Sequence, residues 1–175
     1  MKTTVIGLFQ KPSQVKTSIE ALEIKGVSAK QMSLITSENI DKKSFSISDN
    51  TKLPEMSIIG AATGGAMGLI IGGLTAVGSV ATGGIGLLAS GPIVAAMAGG
   101  GFGASGGGIL GAVFGLVVPD SDHQTILDEL VKGGAVLCID CQSTDVEKKK
   151  LLLEAQKAIR VELADEIKLN EIGDN

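Results

Sequence analysis

Aromatic side chains are nearly missing from this sequence, which has no Trp, no Tyr and only four Phe in 175 residues. A core that cannot rely on large rings must close with aliphatic side chains and close backbone contact. The same shortage removes the stacking platforms that single-stranded nucleic acid needs. A basic stripe is lacking too: Arg160 is the single arginine, the formal net charge is −4 and the pI is near 5.0. No electrostatic footprint for a phosphate backbone is left.

Cysteine and histidine are equally scarce. Cys138 and Cys141 are the only cysteines, and MKTTVIGLFQKPSQ carries no long apolar run before its polar step. That combination favours a reducing compartment over a disulfide-stapled secreted domain. The CIDC pair falls on an expected strand, where positions i and i+3 point to opposite faces. A redox pair would instead need its first thiol at a helix N-terminus. His123 lies in PDSDH beside Asp120 and Asp122, and the three read as first-turn residues of a helix capped by Ser121. A tight metal site would need further ligands, and there is no second histidine. Lys148, Lys149 and Lys150 share a helix with Glu147, Glu154 and Glu162 and read as a solvated face, with anionic headgroups as the alternative contact. The sequence supports neither a Ser/His/Asp nor a Cys/His arrangement, and GLFQKPS lacks the phosphate-cradling GxxxxGK pattern. The expectation is a protein that is not an enzyme, with no catalytic, cofactor-binding or metal-binding residues.

One absence is local. Between Glu55 and Asp120 there is no Asp, Glu, Lys, Arg or His. Most of the 25 glycines lie in this window, and many recur at four-residue steps: Gly60, Gly64, Gly68 and Gly72, then Gly99, Gly103, Gly107, Gly111 and Gly115, with Gly91 extending the second register backwards. In water each glycine inside a helix costs about 1 kcal/mol relative to alanine. Lipid holds a backbone helical because its polar groups have no other partner, and GxxxG steps let two helices approach closely. The window is long enough for two helices of about 25 residues, each about 38 Å long, joined near Gly83 to Pro92. A hairpin also returns the chain to its starting side.

The flanks read as an ordinary α/β composition. TTVIGLF is a strand, Val15, Ile19 and Leu22 recur at helical spacing until Gly26, and KQMSLIT is a second strand. SENIDKKSFSISDNTKLPEM is a polar linker with a possible edge strand at SFSIS. After the window, Ser121 and Gln124 open a helix that ends at Gly133 and Gly134, and AVLCIDC is the third strand. Thr144 and Glu147 open a last helix whose stripe Leu152, Ala155, Ile159 and Leu163 carries it to about Leu163, before a short strand at DEIKL. The expected fold is α+β: a ferredoxin-like split βαβ sandwich with an extra helix, interrupted by a long glycine-zipper antiparallel helical hairpin. Residues 1–55 would form the first half, 56–119 the hairpin and 120–175 the second half.

TTVIGLFQKPSQVKTSIEALEIKGV, LPEMSIIGAATGGAMGLIIGG and GAVFGLVVPDSDHQTILDELVKGGAVLCI together resemble a bacterial family of glycine-rich general stress or low-temperature-induced proteins with a domain of unknown function. That resemblance covers about two thirds of the chain. It implies a small cytoplasmic domain around a membrane hairpin, and brings no catalytic residues with it.

Two functions from different classes follow. The leading one is a non-enzymatic, stress-related membrane or self-assembling protein, homo-oligomeric, with lipid as partner and no nucleic acid. It would sit in the bacterial inner membrane with both termini cytoplasmic, or in a soluble cytoplasmic assembly. The other is an oligomeric small-ligand-sensing or regulatory module of ferredoxin-like fold whose hairpin is buried in protein. Thiol redox chemistry at CIDC is the weakest reading.

Overall fold

The computed structural model describes residues 2–38, 68, 70, 75–77, 87–92 and 120–165. They form a six-stranded sheet: β1 (Lys2–Phe9), β2 (Met32–Ser37), β3 (Thr75–Val77), β4 (Leu87–Ser90), β5 (Ala135–Gln142) and β6 (Arg160–Asp165). The order is β3-β4-β2-β5-β1-β6, and every neighbouring pair is antiparallel. Strand β5 lies at the centre, with Val5 opposite Ile139 on one side and Met32 opposite Ile139 on the other. Among the described residues three helices accompany the sheet: α1 (Pro12–Ile24), α2 (Asp120–Val131) and α3 (Val146–Ala155).

Strand alternation sorts the core into two layers. Val5 and Phe9 of β1, Met32 and Leu34 of β2, and Leu137 and Ile139 of β5 form one buried cluster with Val15, Ile19 and Leu22 of α1 and Leu152 and Leu153 of α3. The intervening residues Ile6, Leu8, Ile35, Val136 and Cys138 are also buried, so the second face is covered as well. Helix α2 contacts β2 and β5, and its Ile126 and Leu130 are buried outside the first cluster. It therefore lies on the second face. A sheet buried on both faces explains why its strands read as nearly continuous apolar runs.

Each helix ends in a paired 6→1 and 5→2 closure. At the end of α1, the Gly26 N–H donates to Glu23 O at 2.8 Å and the Val27 N–H to Leu22 O at 3.0 Å, with Gly26 at φ +82°. Helix α2 closes likewise through Gly133, whose N–H donates to Leu130 O, and Gly134, whose N–H donates to Glu129 O. Helix α3 repeats the pattern without glycine: the Lys157 N–H donates to Glu154 O and the Ala158 N–H to Leu153 O, with Lys157 at φ +64°. A left-handed lysine carries a Cβ penalty that glycine avoids. Lys157→Gly is expected to stabilise the domain by about 0.5 to 1 kcal/mol, after allowing for the greater backbone freedom of glycine in the unfolded chain. Urea denaturation checks this, and an unchanged or lowered midpoint would show that residue 157 is not strained.

The structure corrects the expected end of α3. The helix stops at Ala155, not Leu163, and Arg160–Asp165 form β6 along the edge of β1, where DEIKL had been expected to supply the strand. Nor does the helix open on a Thr144 cap: Ser143–Asp145 form a 3-10 turn, and the cap residue is Asp145, without a side-chain cap bond.

The larger correction concerns the window and the fold class. The expectation of a four-stranded ferredoxin-like sandwich interrupted by a glycine-zipper helical hairpin gives way to a sheet of six strands, two of them supplied by the window itself. Thr75–Val77 are extended where the first long helix was placed. Leu87–Ser90, within the expected joint of the hairpin, are hydrogen-bonded to β2, with Leu34 opposite Ser90 and Ser37 opposite Leu87. The turn of a spanning hairpin would lie across the bilayer from the domain, so a joint paired with β2 cannot occupy that place. Ile70, another window residue, is buried in the main cluster. Among the described residues no helix is long and apolar enough to cross a membrane. The membrane-inserted or hairpin-assembled structural function, the transmembrane helices, the lipid partner and the inner-membrane location all depended on that hairpin and are overturned with it.

Candidate functional site

The closure at the end of α1 does more than stop a helix. It turns the chain back so that Lys25, Gly26 and Val27 face the start of α3, and the 3-10 turn Ala29–Gln31 completes the wall. Between these elements lies an open cleft of about 400 Å³. Its apolar floor is Leu22, Val27 and Leu152, all buried members of the main core cluster. Polar groups stand above the floor: Lys25 and Gln31 from the α1 side, and Asp145, Lys148 and Lys149 from the α3 side.

The polar groups are tethered to different degrees. The Ser28 N–H donates to Gln31 Oε1 at 3.1 Å, which fixes one end of that amide and leaves its Nε2 hydrogens to be donated. Lys149 Nζ donates to Asp140 O at 3.5 Å, a long bond that uses one of three ammonium hydrogens. Lys148 Nζ lies 3.9 Å from Asp145 Oδ1, with the two side chains 82% and 51% exposed. A pair so long and exposed adds little stability and holds neither side chain firmly. Lys25 makes no ion pair with another described residue. Three lysines against one aspartate leave the rim cationic in a chain whose formal net charge is −4.

The thiols named from the sequence stand elsewhere. Cys138 and Cys141 are both free and buried, on opposite faces of β5. Cys138 pairs in register with Ile6 and Ser33. Burial, reinforced by the carboxylate of Asp140 two residues along the strand, pushes its thiol up to about 12. Burial also raises Cys141, against a lowering pull from Lys149, and its Sγ donates to Thr3 O at 3.2 Å. A neutral thiol in such surroundings is a poor nucleophile. Asp140 is held on the sheet by Thr4, whose Oγ1 donates to Oδ1 at 2.8 Å. No group of three or more His, Cys, Asp or Glu able to hold a metal occurs among the described residues. Asp120, Asp122 and His123 lie in the first turn of α2, and their side chains fall outside the described ones.

Two of the ten ladder glycines are described. Gly68 has helical backbone and is exposed, with open space where a Cβ would stand. Gly91 follows β4 at φ +103°, and a Cβ there would run into the carbonyl oxygen of Met32 and the Cα and Oγ of Ser33. Gly60, Gly64, Gly72, Gly99, Gly103, Gly107, Gly111 and Gly115 lie outside the described residues, as does SFSIS.

The sequence had grouped Lys148, Lys149 and Lys150 as a solvated face. The fold takes the first two of these and sets them across a cleft from Lys25 and Gln31, which sequence reasoning had not singled out. Only the contact between α1 and α3 joins these positions, and no spacing along the chain encodes it. Comparison with family models, with curated proteins and with solved structures gave no match for this chain.

Proposed function

We propose that this chain is a non-catalytic, small-ligand-sensing or regulatory module, and that the cleft between α1 and α3 is where the ligand is taken up. The observation that carries this reading is the cleft itself. Its volume of about 400 Å³ is within the range of small-molecule sites, about 300 to 1,000 Å³. Such sites combine an apolar lining with a few polar groups that fix orientation, the division seen between Leu22, Val27 and Leu152 below and the lysines and Gln31 above. The location suits a sensor. The floor residues belong to the main core, so a ligand seated on them touches the packing of α1 against α3 and can bias it.

Two-dimensional nitrogen–proton NMR of the labelled full chain, titrated with a fragment library spanning anions, neutrals and cations, tests the proposal. Shift changes clustered at Leu22–Gln31 and Asp145–Leu152, with each fragment recovered unaltered, are the expected result. A library that leaves both segments unperturbed while the spectrum stays that of a folded protein would overturn it.

A further inference from the structure

Resting on that reading of the cleft, we infer that its ligand is a small amphipathic anion: an apolar body carrying a phosphate, sulfonate or carboxylate group. The charge argument is local. Lys25 closes α1, Lys148 and Lys149 open α3, and the three converge on one cleft from two separate elements. The single acid among them, Asp145, is attached to Lys148 only by the 3.9 Å exposed contact, which a ligand anion displaces at little cost. Lys149 keeps ammonium hydrogens beyond its bond to Asp140 O. The surrounding protein is acidic, with a pI near 5.0, so the cationic rim is not a by-product of a generally basic surface.

The floor sets the other half of the ligand. Leu22 is fully buried, and Val27 and Leu152 are 7% and 8% exposed, so the base of the cleft offers no donor or acceptor from its side chains. A bare inorganic anion would leave the exposed edges of Val27 and Leu152 wet, and an apolar body covers them. Nucleotides fit less well, because no aromatic ring lines the cleft and a base would have nothing to stack on. Lysines also set how much the rim discriminates. They act as mobile point charges without the planar fork of arginine, so charge is recognised before headgroup shape.

A probe series with one body and different charges separates these elements: 1-naphthyl phosphate, naphthalene-1-sulfonate, 1-naphthoate, naphthalene-1-methanol and naphthalene-1-methylamine, with inorganic phosphate alone as a further arm. Titrated into the labelled full chain, the anions are expected to bind at least tenfold tighter than the alcohol, with the amine weaker still. Their affinity should fall as salt is raised. Phosphate ahead of carboxylate would assign a phosphoryl ligand, and carboxylate ahead of phosphate an organic acid. The double variant Lys25→Glu, Lys148→Glu should lose at least tenfold in anion affinity and no longer prefer the anions over the amine. Alcohol or amine binding at the cleft as tightly as the anions would overturn this inference and leave the ligand-binding reading standing. Inorganic phosphate binding as tightly as naphthyl phosphate would overturn the amphipathic half. No probe shifting the cleft residues would overturn both. The salt dependence is read on the unaltered chain, so it decides the charge question even if the double variant fails to fold.

Discussion

Gly91→Ala is expected to destabilise the domain by about 2 to 5 kcal/mol, whereas Gly68→Ala should stabilise it by about 1 kcal/mol. Both glycines belong to the same repetitive window, and only their surroundings separate them. At Gly91 the backbone is left-handed at φ +103°, which costs an L-residue about 1 to 2 kcal/mol. The added Cβ would also stand about 2.5 Å from Ser33 Cα and Oγ and against the Met32 carbonyl oxygen. Two of these three atoms are backbone of β2, and β2 is pinned between β4 and β5, so relief requires moving a central strand. Overpacking of that kind costs about 1 to 3 kcal/mol more. Gly68 is exposed and helical with nothing near a Cβ, so alanine there gains helix propensity and meets no obstacle. Urea denaturation of the purified variants decides the matter. Equal and small effects at both positions would mean that the approach of β4 to β2 is not tight.

The contrast between those glycines shows where the sequence was legible. Strands β1, β2 and β5 stand where TTVIGLF, KQMSLIT and AVLCIDC suggest, because β-branched and aliphatic runs bounded by polar turns have few other uses. The α1 stripe of Val15, Ile19 and Leu22 is buried as its spacing implies. Helix α3 was read too long because Leu152, Ala155, Ile159 and Leu163 satisfy helical steps while Ile159, Val161 and Leu163 also alternate as a strand does. The stop that separates them is a left-handed Lys157, which carries no signal in composition. The window misled for a related reason. Leu87, Leu88, Ala89 and Ser90 form a short run whose periodicity cannot tell a buried strand from a helix segment, and only pairing with β2 settles it. Glycine at four-residue steps invites a helix–helix reading, yet at Gly91 the absent side chain admits a neighbouring strand. The cleft was the least legible feature, since Lys25 and Lys148 are brought together by tertiary structure alone.

Raising the pH from 8 to 11 is expected to cost the native chain about 3 kcal/mol of stability through Cys138 alone, and Cys138→Ala should remove that loss. The sign follows from where the proton is held. In the folded state burial, and then the neighbouring Asp140, lift the thiol from 9.0 to about 12, so it stays protonated across this range. In the unfolded chain the same thiol releases its proton above about 9. The unfolded state then binds fewer protons than the native state, and stability falls by about 1.4 kcal/mol for each pH unit beyond that point. Below pH 9 the contribution is fully present, and it is lost as pH climbs toward the folded value. The absence of Tyr from the chain removes the phenol groups that ordinarily titrate in this window, and every group other than Cys138 is common to both proteins. Alanine at 138 also leaves a cavity, at a cost that does not change with pH, so the comparison must be of slopes rather than midpoints. Urea denaturation at half-unit steps from pH 8 to 11 supplies them. A steeper decline in the native chain than in Cys138→Ala, by about 1 kcal/mol or more per pH unit above 9.5, is the expected result. Parallel declines would mean that the second face of the sheet admits water and counter-charge to Cys138, and that Ile6, Val136 and Ile35 do not seal it as their burial indicates.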